Sequence, residues 1–227
     1  MQNYLVTGTS SGLGKEIKDL LLSLGKNVFF DELIELSSMD DIEILAEKFK
    51  GIDCLVNCAG VNYLSWFPKA DWDMYEHLMA VNLRAPLYLT QCLIDKGSFA
   101  TSPTILNITS LAADVPMTNT TFYNSAKAAL KMATRQLARE LKKTHDITVF
   151  AVSPNKIKGT KMSNYVDATV PLLRGWTPEE AAEYQKRTML SGEEIDPVEI
   201  AKFICYLICE KDHHKYLNGC IMPYGVS

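Results

Sequence analysis

Apolar positions along the chain switch repeatedly between a spacing of two and a spacing of three to four, the signatures of strand and helix. A β-like run, Tyr4-Leu5-Val6-Thr7, leads into the glycine-rich stretch Gly8-Thr9-Ser10-Ser11-Gly12-Leu13-Gly14. Ile17, Leu20, Leu21 and Leu24 then recur at helical spacing until Gly25 stops the helix. Val28-Phe29-Phe30 reads as a second strand and residues 33–36 as a third. Ser37 and Ser38 are N-caps for a helix that presents Ile42, Leu45, Ala46 and Phe49 on one face, with Asp40 and Asp41 in capping-box-like positions. Gly51 ends it, and Cys54-Leu55-Val56 is a buried strand. Residues 71–95 make a long amphipathic helix with Pro86 inside it, which predicts a kink or break near Ala85. A strand at 104–109 and a helix at 121–143 follow, the helix ending on Lys142 and Lys143, cations suited to its C-terminal dipole. A strand at 147–152, helices at 178–190 and 197–209, and Cys220-Ile221-Met222 as a last strand complete the pattern.

This alternation predicts an α/β protein, a doubly wound parallel sheet with helices on both faces. Only two or three residues separate the second and third strands, too few for a crossover helix of about a dozen. The crossover between strands two and three is therefore expected to be shortened.

Composition narrows the class. With 47% hydrophobic residues over 227 positions, one domain buries an ordinary core. Lys plus Arg is 23 against 27 Asp plus Glu, a net charge of −4 without a basic stripe, which argues against a nucleic-acid partner. Apolar runs fall short of the roughly 18 residues of a spanning helix, so no membrane partner is expected. Met1-Gln2-Asn3 opens no secretory signal. The six cysteines sit in apolar segments and read as reduced thiols of a cytoplasmic protein.

Three constellations carry chemistry. The first is strand, Gly8-x-x-x-Gly12-x-Gly14, helix. Glycines there permit a tight turn and let the backbone approach a pyrophosphate at the helix N-terminus, although any glycine-rich turn between strand and helix shares the pattern. The second is Tyr123-Asn124-Ser125-Ala126-Lys127. Residues i and i+4 share a helix face, so phenol and ammonium point the same way. A free tyrosine, with a pKa of about 10, is a poor base at neutral pH, and a nearby Lys⁺ favours the phenolate that acid–base catalysis uses. An exposed Tyr/Lys pair without catalysis is the plainer account. The third is Asn107-Ile108-Thr109-Ser110 at the C-terminal end of a strand, the edge where open α/β sheets bind ligands. Its hydroxyl either bonds a substrate carbonyl or starts a turn.

Together these motifs resemble the short-chain dehydrogenase/reductase family over nearly the whole chain. Residues 7–14 are similar to its TGxxxGxG turn. Asn57-Cys58-Ala59-Gly60 is similar to its NNAG motif with Cys for the second Asn. Ser110, Tyr123 and Lys127 are similar to its serine and YxxxK pair, and residues 197–201 to the opening of its final helix. The resemblance implies a single Rossmann-type domain over 1–227 and an NAD(P)-dependent oxidoreductase that moves a hydride between nicotinamide and a carbonyl or secondary alcohol. In it, Tyr123 is the general acid or base and Ser110 orients the carbonyl. Lys127 lowers the phenol pKa and holds the ribose, and Asn82 fixes a relay water. Cofactor contacts fall on Gly8, Ser10, Ser11, Gly12, Leu13, Gly14, Asn57, Ala59, Gly60, Pro154, Ile157 and Thr160, besides Tyr123 and Lys127. Asp31, following the second strand, is the expected acceptor for a ribose 2′-OH; with no Arg or Lys between 27 and 47, NAD is favoured over NADP. Glu35 falls where the family often has an Asp near the adenine, and a surface Glu accounts for it equally well.

The resemblance further makes residues 160–192 a lid over the substrate. Met162, Tyr165, Leu172, Leu173, Arg174 and Trp176 there suit a small molecule of mixed apolar and anionic character, or else a lid packed on itself. Homodimers or homotetramers through helices 71–95 and 121–143 are implied as well. No metal site is expected: Cys205, Cys209, His213 and His214 lack ligand spacing. The alternative function is a dinucleotide-binding sensor or regulatory subunit without catalysis; such proteins typically lose the Tyr or the Lys.

Overall fold

The computed structural model describes residues 2–189 and 192–225. Met1, positions 190 and 191 of the expected helix and lid, and the last two residues lie outside them. Six parallel strands form one sheet in the order β2-β1-β3-β4-β5-β6: β1 (Asn3–Val6), β2 (Asn27–Phe29), β3 (Ile52–Asn57), β4 (Phe99–Ile108), β5 (Thr148–Pro154) and β6 (Ile221–Tyr224). The register is continuous through the centre, Leu5 opposite Leu55, Leu55 opposite Ile105 and Ile105 opposite Val149. The helices are α1 (Gly12–Ser23), α2 (Met39–Lys48), α3 (Trp72–Met79), α4 (Ala85–Asp95), α5 (Thr121–His145), α6 (Lys161–Arg174), α7 (Pro178–Thr188), α8 (Pro197–Cys209) and α9 (His214–Leu217). None among the described residues is long and apolar enough to cross a membrane.

Strand alternation sorts the core into two layers. Tyr4, Val6, Cys54, Val56, Leu106, Ile108, Phe150 and Val152 face α1 and α8. The intervening Leu5, Leu55, Ile105 and Val149 face α2, α4 and α5. The chain leaves β1 toward β2 on one side and returns on the other as β3, so the sheet switches direction between β1 and β3. Ligands bind outside the strand ends at such a point.

One sequence expectation fails and another takes a definite form. Residues 33–36 form no strand: Leu33 is 93% exposed, and the loop is held by side-chain bonds, Glu35 N donating to Asp41 at 2.9 Å and Ser37 N to Glu35 at 3.0 Å. The connection goes from β2 directly to α2, so the shortened crossover removes a strand and leaves β2 at the sheet edge. The long helix 71–95 is interrupted by a π-turn at 80–84 before Pro86 opens α4. That places the break where the proline lacks an N–H to give the preceding turn. The segment at 161–174, read only as part of a lid, is a helix capped by Thr160, whose hydroxyl accepts from Ser163 N at 3.0 Å.

Candidate active site

The C-terminal ends of β1, β3, β4 and β5 open into a cavity of about 640 Å³, roofed by α6 and α7. Gly8, Ser10, Ser11, Gly12, Leu13 and Gly14 line its floor, and Ala59, Gly60, Pro154, Ile157 and Thr160 its sides, together with Ser110, Tyr123 and Lys127. The glycine turn is tight because two of its members have no room for a side chain. A Cβ on Gly14 would lie 2.2 Å from the Gly8 carbonyl oxygen, and one on Gly8 would lie 2.7 Å from Ala59 Cα. Ser11 caps α1 without a side-chain hydrogen bond, so backbone amides at the head of α1 have no side chain competing for them. That cradle fits a pyrophosphate. Thr7 fastens it to β3, its hydroxyl accepting from Cys58 N at 3.1 Å and Ala59 N at 3.2 Å.

On α5, Tyr123 is 9% and Lys127 4% exposed. Burial pushes the Tyr123 phenol above its ordinary range, and the nearby Ser110 hydroxyl pulls it partly back. Burial also brings the Lys127 ammonium down to about 8. Desolvation is thus the largest influence on the phenol in this structure. Lys127 Nζ donates to the Ile108 carbonyl at 3.0 Å and lies 5.9 Å from the Tyr123 ring centre. Ser110 heads a short turn, its Oγ accepting from Ala112 N at 3.1 Å. Cys58, standing where the motif has asparagine, lines the cavity as a neutral thiol that burial pushes up to about 12.

Three expected site residues do not line this cavity. Asn82 lies fully buried in the π-turn, accepting from Val61 N at 3.1 Å and donating to Val61 O at 2.8 Å. Asn57 donates to Asn107 at 2.8 Å, and Asn107 to Thr134 at 2.9 Å, a polar rung within the sheet. Asp31 pairs with Lys48 at 2.7 Å, which holds its carboxyl below the usual range. Glu32, also outside the cavity lining, is the acid that meets the glycine turn: it accepts from Thr9 Oγ1 at 3.4 Å and pairs with Lys18 at 3.2 Å. Strand alternation explains the exchange. Phe29 and Asp31 go to the α2 side, against Phe49 and Lys48; Phe30 and Glu32 go to the α1 side, against Lys18. Period-two counting from Val28 would have found Glu32.

A glycine-built cradle at the switch point of a parallel sheet, beside a Ser/Tyr/Lys cluster, is the groove of a dinucleotide-dependent enzyme. A family model described as short chain dehydrogenase matches residues 35–171. An uncharacterized oxidoreductase of Staphylococcus saprophyticus is 27% identical, over 96% of this chain and 96% of its own length. The sorbitol-6-phosphate 2-dehydrogenase of Klebsiella pneumoniae is 26% identical, over 95% and 91%. Among solved structures, a short chain dehydrogenase family protein from Francisella tularensis shares the fold at a TM-score of 0.86 and 23% identity, covering 98% of this chain and 96% of that one. An actinorhodin polyketide ketoreductase with NADPH does so at 0.86 and 23%, covering 98% and 95%. The chain belongs to the short-chain dehydrogenase family, and it is an NAD(P)-dependent oxidoreductase acting on CH–OH or carbonyl groups. Nothing in these likenesses supports a non-catalytic sensor.

Proposed function

We propose that residues 1–227 act as one Rossmann-type catalytic domain in which Tyr123 is the general acid–base, Ser110 the carbonyl-orienting group and Lys127 the ribose and phenol partner. The observation that carries the reading is the convergence of these three side chains and the glycine cradle on one cavity. A bound nicotinamide supplies or accepts the hydride. In reduction, the Tyr123 hydroxyl donates its proton to the substrate oxygen, and its raised pKa keeps that proton in place until it is needed. In oxidation the phenolate takes the proton back, which a charged Lys127 favours. Ser110 holds the substrate oxygen within reach of the phenol. Asn82 is a positioning residue: by clamping Val61 it fixes Gly60, where a Cβ would lie 3.0 Å from Asn82 Oδ1 and 3.4 Å from Lys127 Nζ. The described residues 160–189 of the lid segment serve as the cover of the cavity in the same proposal.

NAD is preferred to NADP in this reading, with Glu32 rather than Asp31 accepting the ribose 2′-OH; its carboxylate beside Thr9 would repel a 2′-phosphate. Glu35, lining the adenosine end with Ile34 and Leu36, supports the same half of the nucleotide. A cytoplasmic location accords with six free cysteines, and assembly as a homodimer or homotetramer through the 71–95 segment (α3 and α4) and α5 belongs to the same proposal. The test pairs NADH and NADPH fluorescence titration with the Tyr123→Phe variant. NADH is expected to bind more tightly, and the variant to retain that binding while turnover falls roughly 10²–10⁴-fold. Turnover within a few-fold of wild type would remove Tyr123 from its role.

A further inference from the structure

Arg174, the last residue of α6, lines the cavity that Ser110 and Tyr123 also line. Its guanidinium is held in place. Nε donates to Asn119 Oδ1 at 3.4 Å and Nη2 to the Thr118 carbonyl at 3.1 Å. The cation lies 4.7 Å from the Trp176 ring centre and 5.4 Å from that of Tyr184. The segment carrying it is tied down as well: Trp66 Nε1 donates to the Leu173 carbonyl at 3.0 Å, and Leu64 N to the Tyr165 hydroxyl at 3.2 Å.

These contacts use two of the five N–H donors an arginine offers, which leaves three. Among the described residues, no carboxylate lies within ion-pair distance of Arg174. Acids of neighbouring segments are engaged elsewhere. Asp167, on the same helix, pairs with Lys156, which also holds Glu194 at 2.7 Å. Glu180 accepts from Thr177 N at 2.8 Å in a capping box. Met162, Val166 and Val170 of the same helix make the cavity wall apolar on the way to Arg174. An oriented cation without a counter-charge, at the end of an apolar wall, is matched by an anion on an apolar body.

We infer that the substrate is an apolar ketone or secondary alcohol that carries a carboxylate, and that Arg174 binds that carboxylate while the carbinol carbon meets Tyr123 and Ser110. A carboxylate fits better than a phosphate dianion because one planar cation on a partly apolar wall matches one planar charge, and each further buried charge adds desolvation cost. The inference rests on the hydride-transfer reading above and names the substrate class of that same cavity.

The probes are 6-oxoheptanoate and its methyl ester, reduced by wild type, Arg174→Gln and Arg174→Lys. Wild type is expected to favour the acid over the ester by about tenfold or more in kcat/KM, the worth of a charge-assisted hydrogen bond. Arg174→Gln should erase that preference through a raised KM for the acid alone, and Arg174→Lys should restore part of it. Equal use of acid and ester by wild type would overturn the inference. So would an equal loss of both in Arg174→Gln, which is the behaviour of a mere strut between α6 and residues 118–119. Calorimetric titration with octanoate and 1-octanol, with and without nucleotide, reads the same contact without turnover: only octanoate should weaken in Arg174→Gln, and unchanged octanoate affinity would refute the contact. Failure of wild type to bind either NADH or NADPH would instead overturn the hydride-transfer reading, with octanoate binding still reporting on Arg174.

Discussion

Lys127 is the residue at which burial and function pull in opposite directions. It is nearly enclosed, and desolvation brings its ammonium down to about 8. The cation is the form that favours phenolate at Tyr123, and it predominates only below that value. kcat/KM reports the ionisations of the free enzyme. It is therefore expected to fall as pH rises through about 8, and Lys127→Arg, which stays charged, should flatten that fall in a pH–rate profile even if its overall rate is lower. The YxxxK spacing was legible in the sequence because i and i+4 share a helix face. The sign of the pKa shifts was not, since it depends on how deeply β4 and α5 enclose the pair. Asp31 and Glu32 teach the related lesson: adjacent acids are interchangeable as letters, while the pleat sends one to Lys48 and the other to Thr9.

At the scale of elements, the π-turn between α3 and α4 is the joint that brings Asn82 to the site's edge. A regular helix from 71 to 95 would present a different face at position 82. With both amide groups of Asn82 spent on Val61, Asn82→Ala leaves a backbone donor and acceptor without partners. The expected cost is about 1–3 kcal/mol in urea unfolding. Nucleotide-dependent turnover should drop with it, because the Gly60 backbone beside Lys127 loses its brace. Pro86 announced the break, but a proline tells only that a helical hydrogen bond is missing, not whether the chain answers with a kink or a wider turn. The strand expected at 33–36 failed for a different reason. Apolar residues there met the pattern, yet a parallel partner strand needs a crossover, and the chain has no length for one. The remaining strands and most helices were readable from periodicity, with limits within a few residues except at the start of β4.

Across the whole molecule, the C-terminal helices are pinned to the far side of the sheet by His214. Its Nε2 faces the Leu207 carbonyl at 2.8 Å, an acceptor, so Nε2 carries the proton and Nδ1 accepts from Thr104 Oγ1 at 2.7 Å. The ring is neutral in this arrangement, and burial lowers its pKa below the ordinary histidine value. The unfolded chain then binds a proton the native one resists, so stability declines as pH falls below about 6.5. Chemical denaturation at pH 5 and 7.5 should show wild type losing stability in acid, with a smaller loss in His214→Gln. The tandem histidines were visible in the sequence, but only three-dimensional packing separates the exposed His213 from the buried clamp.

The direct passage from β2 to α2 has a consequence for how this enzyme can vary. Glu32 beside the cradle and the cavity-lining Ile34, Glu35 and Leu36 all fall within residues 30–38, one uninterrupted loop between an edge strand and a capped helix. If Glu32 sets the coenzyme preference as proposed, that choice is made largely within one short stretch, whose exchange would reach the buried layers only where Ile34 and Leu36 pack on the core.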